Sequence, residues 1–487
     1  MEILFVATEL APYAKVGGLA DVAAALPKSL RNLGHRITLV LPKYANFEES
    51  GLLFARRLSP LRFEFGGREV EAMLYDARLP SQLELTVIEI GQSFSRPGIY
   101  AEEGEDYGDN AERFALFSRA VAELAAARAR AGTPFDIVHA NDWPTALTML
   151  FLKELREKEE TLANTKLVFT VHNAAYQGLT ERSHLAALGL EERHLTIDGI
   201  EFFGKLNLLK QGLLAADATT TVSSNYARDL EKEAQGLEGV IRSLPRPILG
   251  ITSGVDYAVW NPATDPYLPS HFSAEDAGGK RRARGLLLRD LGIPLEFEGP
   301  IVFHLGRFVP EKGQDLIAQS LGTLLRSTEA HFIIGGDGDA KIREKLEAAA
   351  GASNGRARVL VNPSESLVHR LFAGSDLFLA PSRIEPCGLT QQYAQRYGTL
   401  PVARAIGGMI DTIVDCDNDL ETGTGFLFDR DEDFIGAVQR GVAALSHQRL
   451  PNLLRRVMRL ERGWERPGRR YESLYRSLGA RTARVSA

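Results

Sequence analysis

Three short segments combine residue types and spacings suited to anionic or hydroxylated ligands. KVGGLADV, Lys15 to Val22, pairs the compact positive charge of Lys15 with Gly17 and Gly18, whose missing side chains let backbone approach a ligand closely. A helix starting there adds unpaired N–H groups, which suit a phosphate. The string is neither a Walker loop nor G-x-G-x-x-G, and glycines in such a place also serve turns alone, so spacing leaves both readings open. In GRFVPEKG, Arg307 and Lys312 stand five residues apart around a turn, a spacing that can grip a diphosphate from two sides. A solvated pair beside Glu311 is the plainer alternative.

The third segment is PSRIEPCGLTQQYAQRYGTLPVARAIGG, Pro381 to Gly408. It predicts a strand end, a turn at Pro386 to Gly388 and a helix whose first turn presents the amides of Cys387, Gly388, Leu389 and Thr390. Glu385, at the strand's carboxyl end, can accept hydrogen bonds from sugar hydroxyls; capping the helix or pairing with Arg383 are the alternatives. His139 and His172 each end a predicted strand, with Asp142, Asn173 and Gln177 close by, which suggests a polar, hydroxyl-binding surface. A lone histidine is more often structural.

These segments need a scaffold that turns sharply at strand ends. Apolar β-branched runs alternate with helical-period stretches, the pattern of βαβ units around a parallel sheet. Strands are predicted over residues 3–7, 37–41, 136–139, 167–171 and 219–222, with a helix over 19–33 stopped by Gly34. A second series starts near Pro300, with strands at 301–306, 331–336, 359–361, 377–380 and 401–403 and a helix from Gln314 to about Leu325. The expectation is two doubly wound α/β domains with ligands at the carboxyl ends of their strands, in a groove between the halves. Residues 254–299, rich in proline and glycine, supply the crossover. The destination of the closing helical stretch, 464–478, is not set by its periodicity.

Composition narrows the classes. The 487 residues carry a formal charge of -6 and no long basic block, so nucleic acid and anionic membranes are not expected partners. Two cysteines, Cys387 and Cys416, exclude a disulfide framework and point to a reducing, cytoplasmic setting. No window approaches the roughly 18 apolar residues of a membrane span, and the first residues read as a strand rather than a signal peptide. DCDND, Asp415 to Asp419, has Leu420 where a calcium loop needs glycine and reads as an acidic turn, so no metal site is expected. G-x-S-x-G and H-E-x-x-H are absent.

KVGGLADV, RPGIYAEEGEDYGDNAERFALFSRA, HANDW, VHNAAYQG, TTTVSSNYARDL, SGVDYAVWNPATDP, GRFVPEKGQDLI and PSRIEPCGLTQQYAQRYGTLPVARAIGGMIDTIVD together closely resemble bacterial glycogen synthases and plant starch synthases, over nearly the whole chain. The resemblance implies the GT-B fold, two Rossmann-like domains facing each other across a cleft. It implies an acceptor-side domain over 1–255, joined by a C-terminal helix at 465–487, and a nucleotide-sugar domain over 256–464. The implied reaction moves glucose from ADP-glucose or UDP-glucose to the 4-hydroxyl of an α-1,4-glucan or maltooligosaccharide with retention, and requires no cofactor. By the same resemblance Lys15, Gly17 and Gly18 contact the donor phosphate, and Arg307 with Lys312 clamps the diphosphate. His172 stands near the transferred sugar, Glu385 contacts its hydroxyls, and Cys387, Gly388, Leu389 and Thr390 offer backbone contacts. Glu9, Asp21, Asp142 and Asn173 line the cleft and acceptor side. Val16, Asn141, Pro144, Ser253 and Ile406 depart from the family pattern. They motivate two alternatives, a GT-B transferase of a small acceptor such as glucose 1-phosphate or an oligosaccharide, and a weakly catalytic glycan-binding paralogue.

Overall fold

Runs such as ILFV and ITLVLP lack the in-out alternation of a half-exposed strand, and such strands are buried on both faces in parallel sheets. The computed structural model, which describes residues 1–102 and 104–479, arranges them so. The chain forms two compact units, Met1–Ser253 with the described part of Trp464–Ala487, and Gly254–Gly463.

In the first unit the strands are β1 (Glu2–Val6), β2 (Arg36–Pro42), β3 (Ile137–Asn141), β4 (Lys166–Val171) and β5 (Ala218–Thr221). Helix α1 (Gly18–Asn32) follows β1, and Gly34 just past it has φ +89°, the left-handed backbone that ends a helix. The sheet runs β5, β4, β3, β1, β2, all parallel, and continues through Glu84–Glu89 into an antiparallel pair, Leu61–Phe65 with Arg68–Arg78, that the sequence pattern did not announce. The chain leaves β1 toward β2, while β3 lies on the other side of β1. The loops after β1 and β3 therefore diverge at a topological switch point, where ligands gather in open α/β sheets.

The second unit repeats the plan with β6 (Ile301–Leu305), α2 (Gln314–Ser327), β7 (His331–Gly336), β8 (Leu377–Ala380), α3 (Thr390–Arg396), β9 (Leu400–Arg404) and α4 (Gly407–Thr412). Its six strands are all parallel, in the order Ala357–Val361, β7, β6, β8, β9, Phe426–Phe428. The switch point lies between β6 and β8, so the loops carrying Arg307 and Glu385 emerge side by side.

Residues 254–299, expected as the crossover, are built into the second unit. Trp260 stacks between His369 and Tyr393, with ring centroids 4.1 Å away on each side. Lys280, on the helix Gly278–Asp290, donates to the carbonyls of Ala373, Ser375 and Tyr397 and to the Thr399 hydroxyl. The helix Glu465–Ser477 instead returns to the first unit. Tyr471 and Tyr475 enter that core, and the Tyr475 hydroxyl lies 2.7 Å from His139 Nδ1. Fully burying one such ring is worth about 2 kcal/mol.

Candidate functional site

In the second unit two segments separated by more than sixty residues in sequence are laced together. Glu311 O accepts from Arg383 N at 2.7 Å. At Gly313, φ is +71° and an added Cβ would sit 2.3 Å from Pro381 O, so only glycine lets the β6 loop lie this close to the β8 loop. This contact brings Lys312 Nζ to 2.6 Å from a Glu385 carboxylate oxygen, which also accepts from Ser382 Oγ at 3.1 Å. The pair is largely shielded, with side-chain exposures of 24% and 11%. Arg383, the alternative partner of Glu385 from sequence, forms a two-pronged pair with Asp315 instead.

The main chain of Arg307 is fixed from below. His304 Nδ1 lies 2.9 Å from Leu379 O, so it carries the proton and leaves Nε2 to accept from Gln314 Nε2 at 3.2 Å. The same Gln314 amide donates to Arg307 O at 2.6 Å. Burial pushes His304 down to about 4, so the ring stays neutral in this relay. Neither His304 nor Gln314 was among the expected site residues; both read as ordinary members of a strand and a helix. After β8, Gly388 has φ +65° and α3 starts at Thr390 with Leu389 as its cap residue. Gly408 N donates to Glu385 O at 3.0 Å, tying α4 to the same loop. Cys387 is buried.

In the first unit a carboxylate organises the glycine loop. Glu9, buried just past β1, accepts from Val16 N at 2.9 Å and Gly17 N at 2.7 Å with one oxygen and from the Tyr100 hydroxyl at 3.1 Å with the other. Glu9 thus holds two amides of this loop, that of Gly17 being one expected beside a phosphate. Lys15 forms a 2.8 Å pair with Asp21 and keeps 44% of its side chain exposed. Gly17 has an extended backbone, and a Cβ there would come no nearer than 4.0 Å to any atom, so the protein's own packing does not require glycine at this position.

Past β3, Asp142 adopts φ 59°, ψ 173°, a region almost reserved for glycine and typical of strained functional positions. That turn directs its carboxylate at the loop after β4, where it accepts from His172 N at 2.7 Å and Asn173 N at 3.4 Å. Burial raises Asp142 to about 7, opposed by those amides and assisted by the charge of Glu9. His172 is pushed down to about 3 by desolvation, so its imidazole is neutral. Asn173 Oδ1 accepts from Ala175 N. His139, expected at the surface of this site, is instead fully buried and bonded at both ring nitrogens, to Tyr475 and Thr170, a structural residue. Gln177 likewise spends its amide on Ala174 O and Asn207.

Within the first unit the structure thus brings together Glu9, Lys15 and Gly17 on the loop after β1 with Asp21 in the first turn of α1, and Asp142, His172 and Asn173 at neighbouring strand ends. Within the second it joins Lys312 to Glu385, with Arg307 on the same loop as Lys312 and the 387–390 turn directly after Glu385. Asp415 and Asp417 lie apart from these, the first paired with Arg440 and the second capping Glu421 and Thr422 amides. Among the described residues no group of three His, Cys, Asp or Glu side chains is placed to hold a metal ion, and no helix is long and apolar enough to cross a membrane.

The signature of the starch synthase catalytic domain matches residues 2–243, and that of glycosyl transferases group 1 matches 293–455. A glycogen synthase of Anaeromyxobacter sp. (strain Fw109-5) is 41% identical across 99% of this chain and 100% of its own length. Glycogen synthase 2 of Geobacter sulfurreducens is 37% identical across 98% of each chain. Among solved structures, the catalytic domain of starch synthase IV from Arabidopsis thaliana, bound to ADP and acarbose, superposes with a TM-score of 0.88 at 30% identity, covering 99% of both chains. A sucrose-phosphate synthase from Thermosynechococcus elongatus, with TM-score 0.61 and 18% identity, shares the fold. The chain belongs to the glycogen and starch synthase family and is a GT-B glycosyltransferase that transfers glucosyl units in glycogen or starch synthesis.

Proposed function

We propose that the chain extends an α-1,4-glucan from a nucleotide-glucose donor, ADP-glucose or UDP-glucose, with retention of configuration. One observation carries the assignment of roles: the Lys312–Glu385 contact sets a cation for the donor diphosphate against an acid for the hydroxyls of the transferred sugar. Arg307 and Lys312 hold the diphosphate, Lys15 adds a third positive charge, and Gly17 and Gly18 leave room for the donor. The amides of Cys387, Gly388, Leu389 and Thr390 face sugar and phosphate. His172 lies beside the transferred glucosyl, while Glu9, Asp21, Asp142 and Asn173 border the acceptor side. The second unit is the donor domain and the first the acceptor domain. Two buried free thiols suit a reducing cytoplasm.

Cleaving the bond from C1 to the diphosphate oxygen builds negative charge on that oxygen. Fixed cations stabilise this charge more in the transition state than in the ground state. The acceptor 4-hydroxyl attacks C1 from the leaving-group face, and its proton passes to the departing diphosphate, so no second carboxylate is needed. Lysine and arginine neutralise the leaving group, so a chelator is expected to leave turnover unchanged.

The test is nucleotide release and chain extension by the purified protein, offered each donor with glycogen or maltooligosaccharides. Absence of turnover with every pair removes the proposal. Release with glucose 1-phosphate but not with glucan moves it to a small-acceptor transferase.

A further inference from the structure

Asn141 is fully buried at the end of β3, and none of the roles above uses it. In neighbouring parallel strands residues of matched register share a face, and here each β3 side chain meets the β4-side residue two positions beyond its register partner. His139 reaches Thr170 in this way and Asn141 reaches His172. The Asn141 carboxamide has two unlike ends. Its nitrogen lies 2.9 Å from Val6 O, a carbonyl that can only accept, which sets the orientation of the group. Its oxygen therefore faces His172 Nε2, at 2.9 Å, and an amide oxygen accepts only from a protonated ring nitrogen. The Thr145 hydroxyl, 2.7 Å from both Asn141 N and Asn141 O, fixes the backbone beneath. Among the described residues no group bonds His172 Nδ1.

We infer that Asn141 is a positioning residue that holds His172 in the Nε2–H tautomer and so presents the Nδ1 lone pair to a hydroxyl of the bound sugar. The ring is neutral, which keeps that lone pair available through the neutral pH range. The sugar rests on the proposed function; the tautomer is a property of the free protein.

Long-range proton–nitrogen spectra of the full chain, labelled in its imidazole nitrogens, test the tautomer directly, with the His172 signal assigned by its loss in His172→Gln. A protonated Nε2 and bare Nδ1 are expected; the reverse overturns the inference. Asn141→Leu removes the acceptor at similar volume and is expected to mix the tautomers and lower kcat about tenfold, with donor KM held within about twofold. Unchanged spectrum and kcat in that variant also overturn it. Asn141→Asp keeps an acceptor oxygen, so Nε2 stays protonated, while the new carboxylate raises the imidazole pKa. Its kcat is expected to fall as pH drops through the raised value, a limb absent from Asn141→Leu; a limb-free profile counts against the assignment. If Asn141→Leu does not fold, the parent spectrum and the aspartate variant decide the matter. The expected spectrum without glucosyl transfer leaves the tautomer standing and removes the proposed function. Transfer with Nδ1 protonated does the opposite.

Discussion

The loop after β1 and the loop after β6 occupy equivalent places in two similar sheets and are held by opposite means. The first is gripped from its donors: the buried Glu9 carboxylate collects the Val16 and Gly17 amides. The second is gripped from an acceptor: the neutral His304–Gln314 relay donates to Arg307 O. Glycine also divides the two units, with Gly407 at the start of α4 on one side and Gly17 on the other. At Gly407, φ is +42° and a Cβ would lie 2.1 Å from Glu385 O, whereas at Gly17 a Cβ would meet nothing closer than 4.0 Å. Glycine at 407 is demanded by the protein's own backbone. At 17 the remaining physical reason is close approach by a ligand, in keeping with the proposed donor contact.

The contrast can be broken by substitution. The largest effect is expected at Lys312: Lys312→Ala should lower kcat about 10²-fold to 10³-fold with the fold kept, as for loss of one preorganised donor to a leaving group. Near-normal turnover would discard the clamp. Next, Gly407→Ala should cost about 2 kcal/mol or more of stability, because the clash is with backbone in a left-handed conformation. Thermal unfolding at the parental midpoint would show that α4 can shift at little cost. Gly17→Ala should unfold like the parent yet raise donor KM about tenfold; a normal KM would make the loop a turn and nothing more. A last effect, read as a slope with pH rather than as a fixed loss, concerns Asp142. Its folded pKa of about 7 lies above the roughly 3.9 of an unfolded aspartate, so the group favours the folded state most at low pH. That contribution is lost as pH rises through this window. The melting temperature of Asp142→Asn should therefore gain on the parent between about pH 4 and about pH 7; a constant difference would mean the carboxyl ionises freely.

Much of this plan was legible from pattern. Uninterrupted apolar runs marked most of the parallel strands to within a residue or two, though Glu84–Glu89 and Phe426–Phe428 escaped, and Gly34 marked the end of α1, because both signals are local. The family motifs named the side chains of the candidate site. Their partners were hidden for a physical reason. Glu9 with Val16 and Gly17 is a side-chain-to-backbone contact, and backbone atoms leave no trace in residue identity. Lys312 with Glu385 depends on β6 and β8 being neighbours, a matter of sheet order rather than spacing. His139 misled because the strand predicted to end at it runs on to Asn141, so the ring is mid-strand and faces Tyr475 rather than a ligand. The antiparallel extension at 61–78 escaped because its short alternating runs were overshadowed by the βαβ rhythm.

The return of the helix Glu465–Ser477 to the first unit makes that unit discontinuous along the chain, while Gly254–Gly463 is continuous. Synthesis runs from the amino end, so the later-made unit can close its core first. The earlier-made one must wait, with the pocket for Tyr471 and Tyr475 open, until the helix clears the ribosome. During that interval the apolar surface meant for those two rings is the part of the nascent chain most in need of a chaperone. Removal of the helix would leave the first unit permanently in that half-closed condition.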